Sequence, residues 1–298
     1  MIILHSFWLS LATYRVRIAL NLKRVEFVER THDLTQGHQH TPAFRAVNPA
    51  GAVPALEGAT PEPLTQSLAI LEWLEETHPT PALLPADAAG RAKVRALFLL
   101  TAADTHPLAV PRVRAQLKQR FGADDAAGAD WAAHWFREGL AAYEALLPEG
   151  ATRCHAETLS IADLALASHL IGAARFGVAL DNYPRVARVG ASLMAIPEVA
   201  AAHPDPADQA QSGQQHGIGL GFRHRTDLHQ LAAHLASRVG GRVHVDVGEA
   251  ALEHVQETHR GIPRIDGALR SCWNACRHGH GGGTHQQHAT IDQAREQR

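Results

Sequence analysis

The chain has 298 residues, a formal net charge of −2 and three cysteines. That length suits one or two domains with proper cores. The near-neutral charge gives no electrostatic footprint for nucleic acid or a membrane surface. Cys154, Cys272 and Cys276 are too few and too scattered for a secreted disulfide framework. Met1 leads straight into Ile2-Ile3-Leu4 without a basic segment and a long apolar stretch behind it. No run approaches the roughly 18 apolar residues of a membrane helix. A cytoplasmic location is the expectation.

Residues 1–84 alternate in type. Ile2-Ile3-Leu4 reads as a buried strand. Tyr14 to Lys23 reads as a helix with Val16, Ile18, Ala19, Leu20 and Leu22 inward and Arg15, Arg17 and Lys23 outward. Tyr14 is expected to pack on this helix. Val25–Glu29 is a second strand, residues 41–46 a short helix, Val53–Leu56 a third strand and Leu64 a very short fourth. Ser67–Thr77 is a helix. The order β-α-β-α-β-β-α implies a small mixed sheet carrying helices. Residues 85–208 lose every strand signal, and helices are predicted near 87–120, 129–147, 160–176 and 184–194, punctuated by Pro85, Gly128, Pro148-Glu149-Gly150 and Pro184. Ser160-Ile161-Ala162-Asp163 reads as a capping box with a shortened acid, nucleating a buried helix. Residues 209–298 change character again: more than half of the 21 histidines lie there. The apolar content is thin for an independent core.

Within the first part, Val47-Asn48-Pro49-Ala50-Gly51-Ala52-Val53-Pro54 feeds an apolar strand, and Gln66-Ser67 opens a helix. Pro54 holds Val53 extended and allows a cis bond. An extended Val53 offers unpaired N–H and C=O to a peptide-like ligand. The first amides of the following helix, with the Ser67 hydroxyl, attract a carboxylate. One element reads a peptide backbone and the other an anion, which suits a small anionic tripeptide such as glutathione.

Over residues 1–208 the chain resembles the zeta class of glutathione transferases, which includes maleylacetoacetate and maleylpyruvate isomerases. The resemblance rests on Tyr14-Arg15-Val16-Arg17-Ile18-Ala19-Leu20, Asn48-Pro49, Val53-Pro54 and Gln66-Ser67-Leu68-Ala69-Ile70-Leu71-Glu72-Trp73-Leu74. It continues through Pro79-Thr80-Pro81-Ala82-Leu83-Leu84-Pro85, His106-Pro107-Leu108, Ala162-Asp163, Arg175-Phe176 and Tyr183-Pro184. It implies a thioredoxin-like glutathione-binding domain over 1–84, an all-helical substrate domain over 85–208, and a homodimer.

The resemblance also assigns roles. Ser10 matches the serine credited with stabilising the glutathione thiolate; a free thiol titrates near pH ~8.5, and a hydroxyl donor at a helix N-terminus lowers it. The residue-level alternative for Ser10 is a helix cap. Val53 is implied to pair with the cysteinyl backbone, Gln66 and Ser67 with the γ-glutamyl carboxylate, and Gln39 or His40 with the glycyl end. Alone, Ser67 also reads as a cap and His40 as a solvated loop histidine. His106, Arg112 and Arg175 match the substrate side, where dicarboxylic enol-acids need fixed cations. Four positions depart from the family: Leu9 replaces an arginine, Leu11 and Ala12 a serine and a cysteine, and Val110 an asparagine. They make the pocket more apolar, and three functions stay open. These are cis–trans isomerisation of a maleylacetoacetate-like enol-acid, transfer of glutathione to an apolar electrophile in detoxification, and glutathione binding with little turnover.

In the tail, Cys272-Trp273-Asn274-Ala275-Cys276-Arg277-His278-Gly279-His280 has zinc-binding residue types but not the spacing of a finger. No metal site is expected. The tail is expected to be an unstructured extension or a read-through product.

Overall fold

The computed structural model describes residues 1–204; the expectations for 209–298 lie outside them. The first part is built on a four-stranded sheet in the order β2-β1-β3-β4. β1 (Ile2–Ser6) lies parallel to β2 (Phe27–Thr31) and antiparallel to β3 (Ala55–Glu57), which pairs antiparallel with β4 (Leu64–Thr65). The parallel step needs a crossover, supplied by α1 (Leu11–Leu22). With α2 (Pro42–Val47) and α3 (Ser67–Thr77), the order is the one read from the sequence, and α3 has the bounds expected. β3 starts later than the expected Val53, because Pro54 has no N–H for the ladder; the Val53–Pro54 bond is cis.

The reading of α1 is corrected in one respect. Arg15, Arg17 and Lys23 do not point to solvent: they are 1%, 6% and 6% exposed. α1 is enclosed by the sheet, α3 and a central helix of the second part, so a cation on any face must find a partner inside. Arg17 Nε donates to Glu29 Oε1 at 2.7 Å. Lys23 Nζ pairs with the Glu75 carboxylate and donates to the carbonyls of His78 at 2.7 Å and Pro81 at 2.9 Å. The other oxygen of Glu75 accepts the amides of Leu83 and Leu84 at 2.8 and 2.9 Å. One buried ion pair therefore clamps the connection between the two parts.

The second part is helical. The single helix expected over 87–120 is four pieces: α4 (Ala88–Leu99), a π-helical turn (Leu100–Thr105), α5 (His106–Ala109) and α6 (Pro111–Phe121). Pro107 and Pro111 lack the amides a continuous helix would need, and Thr105 Oγ1 donates to the Leu100 carbonyl at 2.9 Å inside the wide turn. α7 (Asp125–Leu146) begins earlier than expected because Asp124 caps it, accepting Ala127 N–H at 2.7 Å. α8 (Ile161–Arg175), α9 (Pro184–Met194) and the short α10 (Pro197–Ala201) complete the described chain.

α8 is buried on nearly every face, the mark of a core helix. The Asp163 carboxylate seats its start, accepting from Ser160 N–H and Oγ at 2.8 Å and from Cys154 N–H at 2.7 Å. Tyr14 is buried and its hydroxyl donates to the Val199 carbonyl at 3.1 Å, so it ties α1 to α10. No helix among the described residues is long and apolar enough to cross a membrane.

Candidate functional site

Ser10 caps α1. Its backbone is extended and its Oγ accepts Thr13 N–H at 3.2 Å, which leaves the hydroxyl proton free to donate. The side chain is partly exposed beyond the positive end of α1. Two contacts locate it against α8. Arg15 Nε donates to Ser168 Oγ at 2.8 Å. One turn earlier on α1, Leu11 Cδ1 lies 2.7 Å from where a Cβ would sit on Gly172, one turn later on α8. The helices thus cross with opposite sense, and the α1 start faces the α8 end, where Arg175 stands. Only glycine fits at 172, since Phe136 ring carbons lie 2.3 Å from the same point.

A second group forms around the Pro49–Val53 loop. Asn48, 5% exposed, locks it: Nδ2 donates to the Ala52 carbonyl at 2.6 Å, and Oδ1 accepts Ala50 N–H at 3.0 Å. Gly51 has φ +59°, and a Cβ there would stand 3.0 Å from the Gln39 carbonyl and 3.6 Å from His40 Nδ1. A side-chain-free residue therefore lets the 38–40 turn close onto the loop that leads to Val53. Gln39 Nε2 reaches the Leu34 carbonyl at 3.3 Å and His40 Nε2 at 3.2 Å. Arg45, which the sequence did not single out, joins them: Nη1 donates to the Pro49 carbonyl at 3.1 Å, and Nη2 lies 3.3 Å from His40 Nδ1. Its signal was available, a cation on the helix that the Gly37–His40 loop enters.

The β3–β4 pairing of Ala55 with Thr65 and Leu56 with Leu64, continued towards the loop, brings Val53 alongside Gln66 and Ser67. Gln66 is exposed and holds φ +68°, a conformation that costs a non-glycine residue on the order of 1–3 kcal/mol and clusters at ligand-binding positions. Ser67 is 7% exposed, and its Oγ accepts Arg15 Nη1 at 3.4 Å. With Arg15 donating to that oxygen, the Ser67 O–H has its proton to give elsewhere.

Arg15 is one of the three cations the sequence reading placed outward, and it alone of them reaches both Ser67 and Ser168. Its guanidinium lies 5.6 Å from the Phe98 ring centroid, its Nη2 is buried with no hydrogen-bond partner, and burial lowers its pKa to about 10. His106, at the start of α5, is pushed well below the ordinary imidazole value, first by burial and then by Arg15, His169 and Arg112. It is uncharged at neutral pH. Arg112 is exposed on α6. Arg175 ends α8 and is lowered by partial burial and then by Arg114, a second arginine the sequence did not flag. The crossing thus sets the start of α1, capped by Ser10, towards the end of α8, which carries the exposed Arg175, while Gln39, His40, Val53, Gln66 and Ser67 lie along the loops at the sheet edge. An open groove between α7 and α9 lies elsewhere, and its acid, Glu144, already accepts the first amides of α9.

Comparison with known proteins agrees with this geometry. The family described as glutathione S-transferase, N-terminal domain, matches residues 9–77. A maleylpyruvate isomerase of a Ralstonia species is 43% identical over 192 residues, 63% of this chain and 90% of that protein. A maleylacetoacetate isomerase of Pseudomonas aeruginosa is 41% identical over 203 residues, 67% of this chain and 95% of that one. Among solved structures, a maleylacetoacetate isomerase of Methylobacterium extorquens AM1 with bound malonate and glutathione is 42% identical. It superposes with a TM-score of 0.67, covering 69% of this chain and 98% of that one. These relatives and the site define a glutathione transferase. Within that class, the chain belongs to the zeta family of maleylacetoacetate and maleylpyruvate isomerases.

Proposed function

We propose that this protein is a glutathione-dependent isomerase of a cis-dicarboxylic enol-acid of the maleylpyruvate or maleylacetoacetate kind. The observation that carries it is the antiparallel crossing of α1 and α8, which sets the α1 start, capped by Ser10, towards the α8 end that carries Arg175. The residues at the sheet edge fit glutathione. Val53 presents backbone beside a loop pinned by Asn48, and Ser67 has a free hydroxyl proton because Arg15 serves its oxygen. His40 and Arg45 offer donors where a second carboxylate would lie. When bound, glutathione supplies a thiolate that adds to the cis double bond and leaves again after rotation, so it is not consumed.

The chain's residues do the rest. Ser10 donates to the sulfur and, with the α1 amides, holds it ionised at neutral pH. Arg175 holds a substrate carboxylate and stabilises the charge that develops on the enolate. His106, kept neutral by its surroundings, adds no charge of its own beside Arg15 and Arg112. The apolar Leu9, Leu11 and Val110 exclude water around the reacting carbons. The homodimer implied by the family, and a cytoplasmic location, belong to the same reading. Cys154 is a buried free thiol, as a reducing compartment permits.

The relatives' names favour isomerisation, and the four departures keep glutathione transfer to apolar electrophiles as the second reading. Parallel assays separate them: isomerisation of maleylpyruvate and maleylacetone beside conjugation of an aryl halide, all with glutathione. Isomerase turnover well above conjugation is the expected result; conjugation without isomerisation would install the second reading.

A further inference from the structure

The isomerase reading asks for a second cation, because a cis dicarboxylate carries two charges and Leu9 stands where the family keeps an arginine. Arg112 is exposed, and Arg114, two residues on, points to a different face of α6. Arg114 is held in place. Its stem packs over Gly128 of α7, whose absent Cβ would stand 3.9 Å from Arg114 Cβ and Cδ. Its Nε donates to the Ala109 carbonyl at 3.3 Å. Its guanidinium carbon lies 5.1 Å from the ring centroid of Phe176, the residue after Arg175. Phe176 in turn stacks on Phe136 at 5.7 Å, the ring that fills the space beside Gly172 and Leu11.

Arg114 lies close enough to Arg175 to disfavour its charge, yet neither takes part in an ion pair among the described residues. The acid that acts on Arg114, Asp125, already receives Lys118 at 3.1 Å. An Arg114 held by its stem and resting on an aromatic face, next to an Arg175 that makes no ion pair, forms a receptor for a dianion. We propose that Arg114 and Arg175 together clamp the two carboxylates of the substrate, with Arg114 as the specificity-determining residue for dianionic over monoanionic enol-acids. This rests on the isomerase reading and supplies, from α6, the cation lost at Leu9.

The test compares wild type with Arg114→Leu and Arg114→Lys, using maleylpyruvate as the dianionic substrate and maleylacetone as the monoanionic one. The clamp predicts that Arg114→Leu raises KM for maleylpyruvate about ten- to hundredfold, the loss expected for one charge-assisted hydrogen bond. KM for maleylacetone and for glutathione stays unchanged, and Arg114→Lys recovers part of the loss. An unchanged KM for maleylpyruvate, or an equal rise for both substrates, overturns the proposal. Calorimetric titration with maleate separates a failed clamp from a failed isomerase reading. Maleate binding that disappears in Arg114→Leu upholds the clamp even if neither substrate turns over, and binding that the substitution does not alter overturns it.

Discussion

Ser10 is a cap in the structure and a thiolate donor in the proposed mechanism, and sequence alone left the two side by side. Its Oγ accepts the Thr13 amide, so it is a cap; its hydroxyl proton is left uncommitted, as the proposed donation to the thiolate requires. Ser10→Ala removes both. The cap is worth about 0.5–2 kcal/mol, visible as a modest fall in the denaturation midpoint. The donor shows in the thiolate absorbance of bound glutathione, whose titration is expected to move up by one or more pH units while affinity holds. Ser10→Thr restores both. A variant that binds glutathione with an unshifted titration and full turnover would leave Ser10 a cap alone. Arg15 was hidden for a different reason. Helical periodicity sorts residues by polarity, and a buried cation breaks that rule; its partners, Ser67 and Ser168, lie 52 and 153 residues away. Arg114 was equally invisible, because nothing local marks a guanidinium that closes onto a distant ring, whereas Arg45, with partners four and five residues away, left a signal that went unread.

At the level of elements, the short-range signals carried well. The punctuation around Ser67–Thr77 matched the bounds of α3, although Ser67 is its first residue and not its cap, and Gln66 before it makes no side-chain cap; the Ser160–Asp163 box marked the start of α8, because that cap is local chemistry. The long helix over 87–120 failed, because an Ala- and Leu-rich stretch keeps its periodicity through a π turn while Pro107 and Pro111 remove the bonds that would make it continuous. The link between the two parts rests on Lys23 and Glu75. Removing one partner of a buried pair strands the other, at a cost of about 3–5 kcal/mol. Lys23→Met is therefore expected to lower the urea midpoint steeply and to loosen the 78–84 connection to proteolysis, whereas pairing it with Glu75→Gln recovers part of the loss. A midpoint within error of wild type would mean that the clamp contributes nothing.

For the whole molecule, buried histidines set the response to acid. His169 is fully buried, its Nε2 bonded to the Phe136 carbonyl at 2.9 Å, and burial lowers it from 6.5 to about 4. His32, stacked on His5 with ring centroids 5.1 Å apart, also falls to about 4, by burial first and then the charges of His5, Arg30 and His38. His106 is also lowered well below its ordinary value. The folded state refuses protons that the unfolded chain accepts between pH 6.5 and 4. The stability tied to these groups is whole above pH 6.5 and drains away as pH falls towards 4. His169 alone accounts for on the order of 3 kcal/mol. Melting curves across that window are expected to show a steep decline that His169→Gln flattens; equal slopes for the two proteins would contradict the assignment.

The proposed isomerisation turns on sulfur that is borrowed and returned. Following total free thiol while maleylpyruvate is converted, at a glutathione concentration well below that of substrate, tests this most directly. The account predicts many turnovers of trans product per glutathione with no loss of thiol, and no conversion when glutathione is withheld. Thiol vanishing in step with substrate, or conversion that proceeds without glutathione, would contradict it.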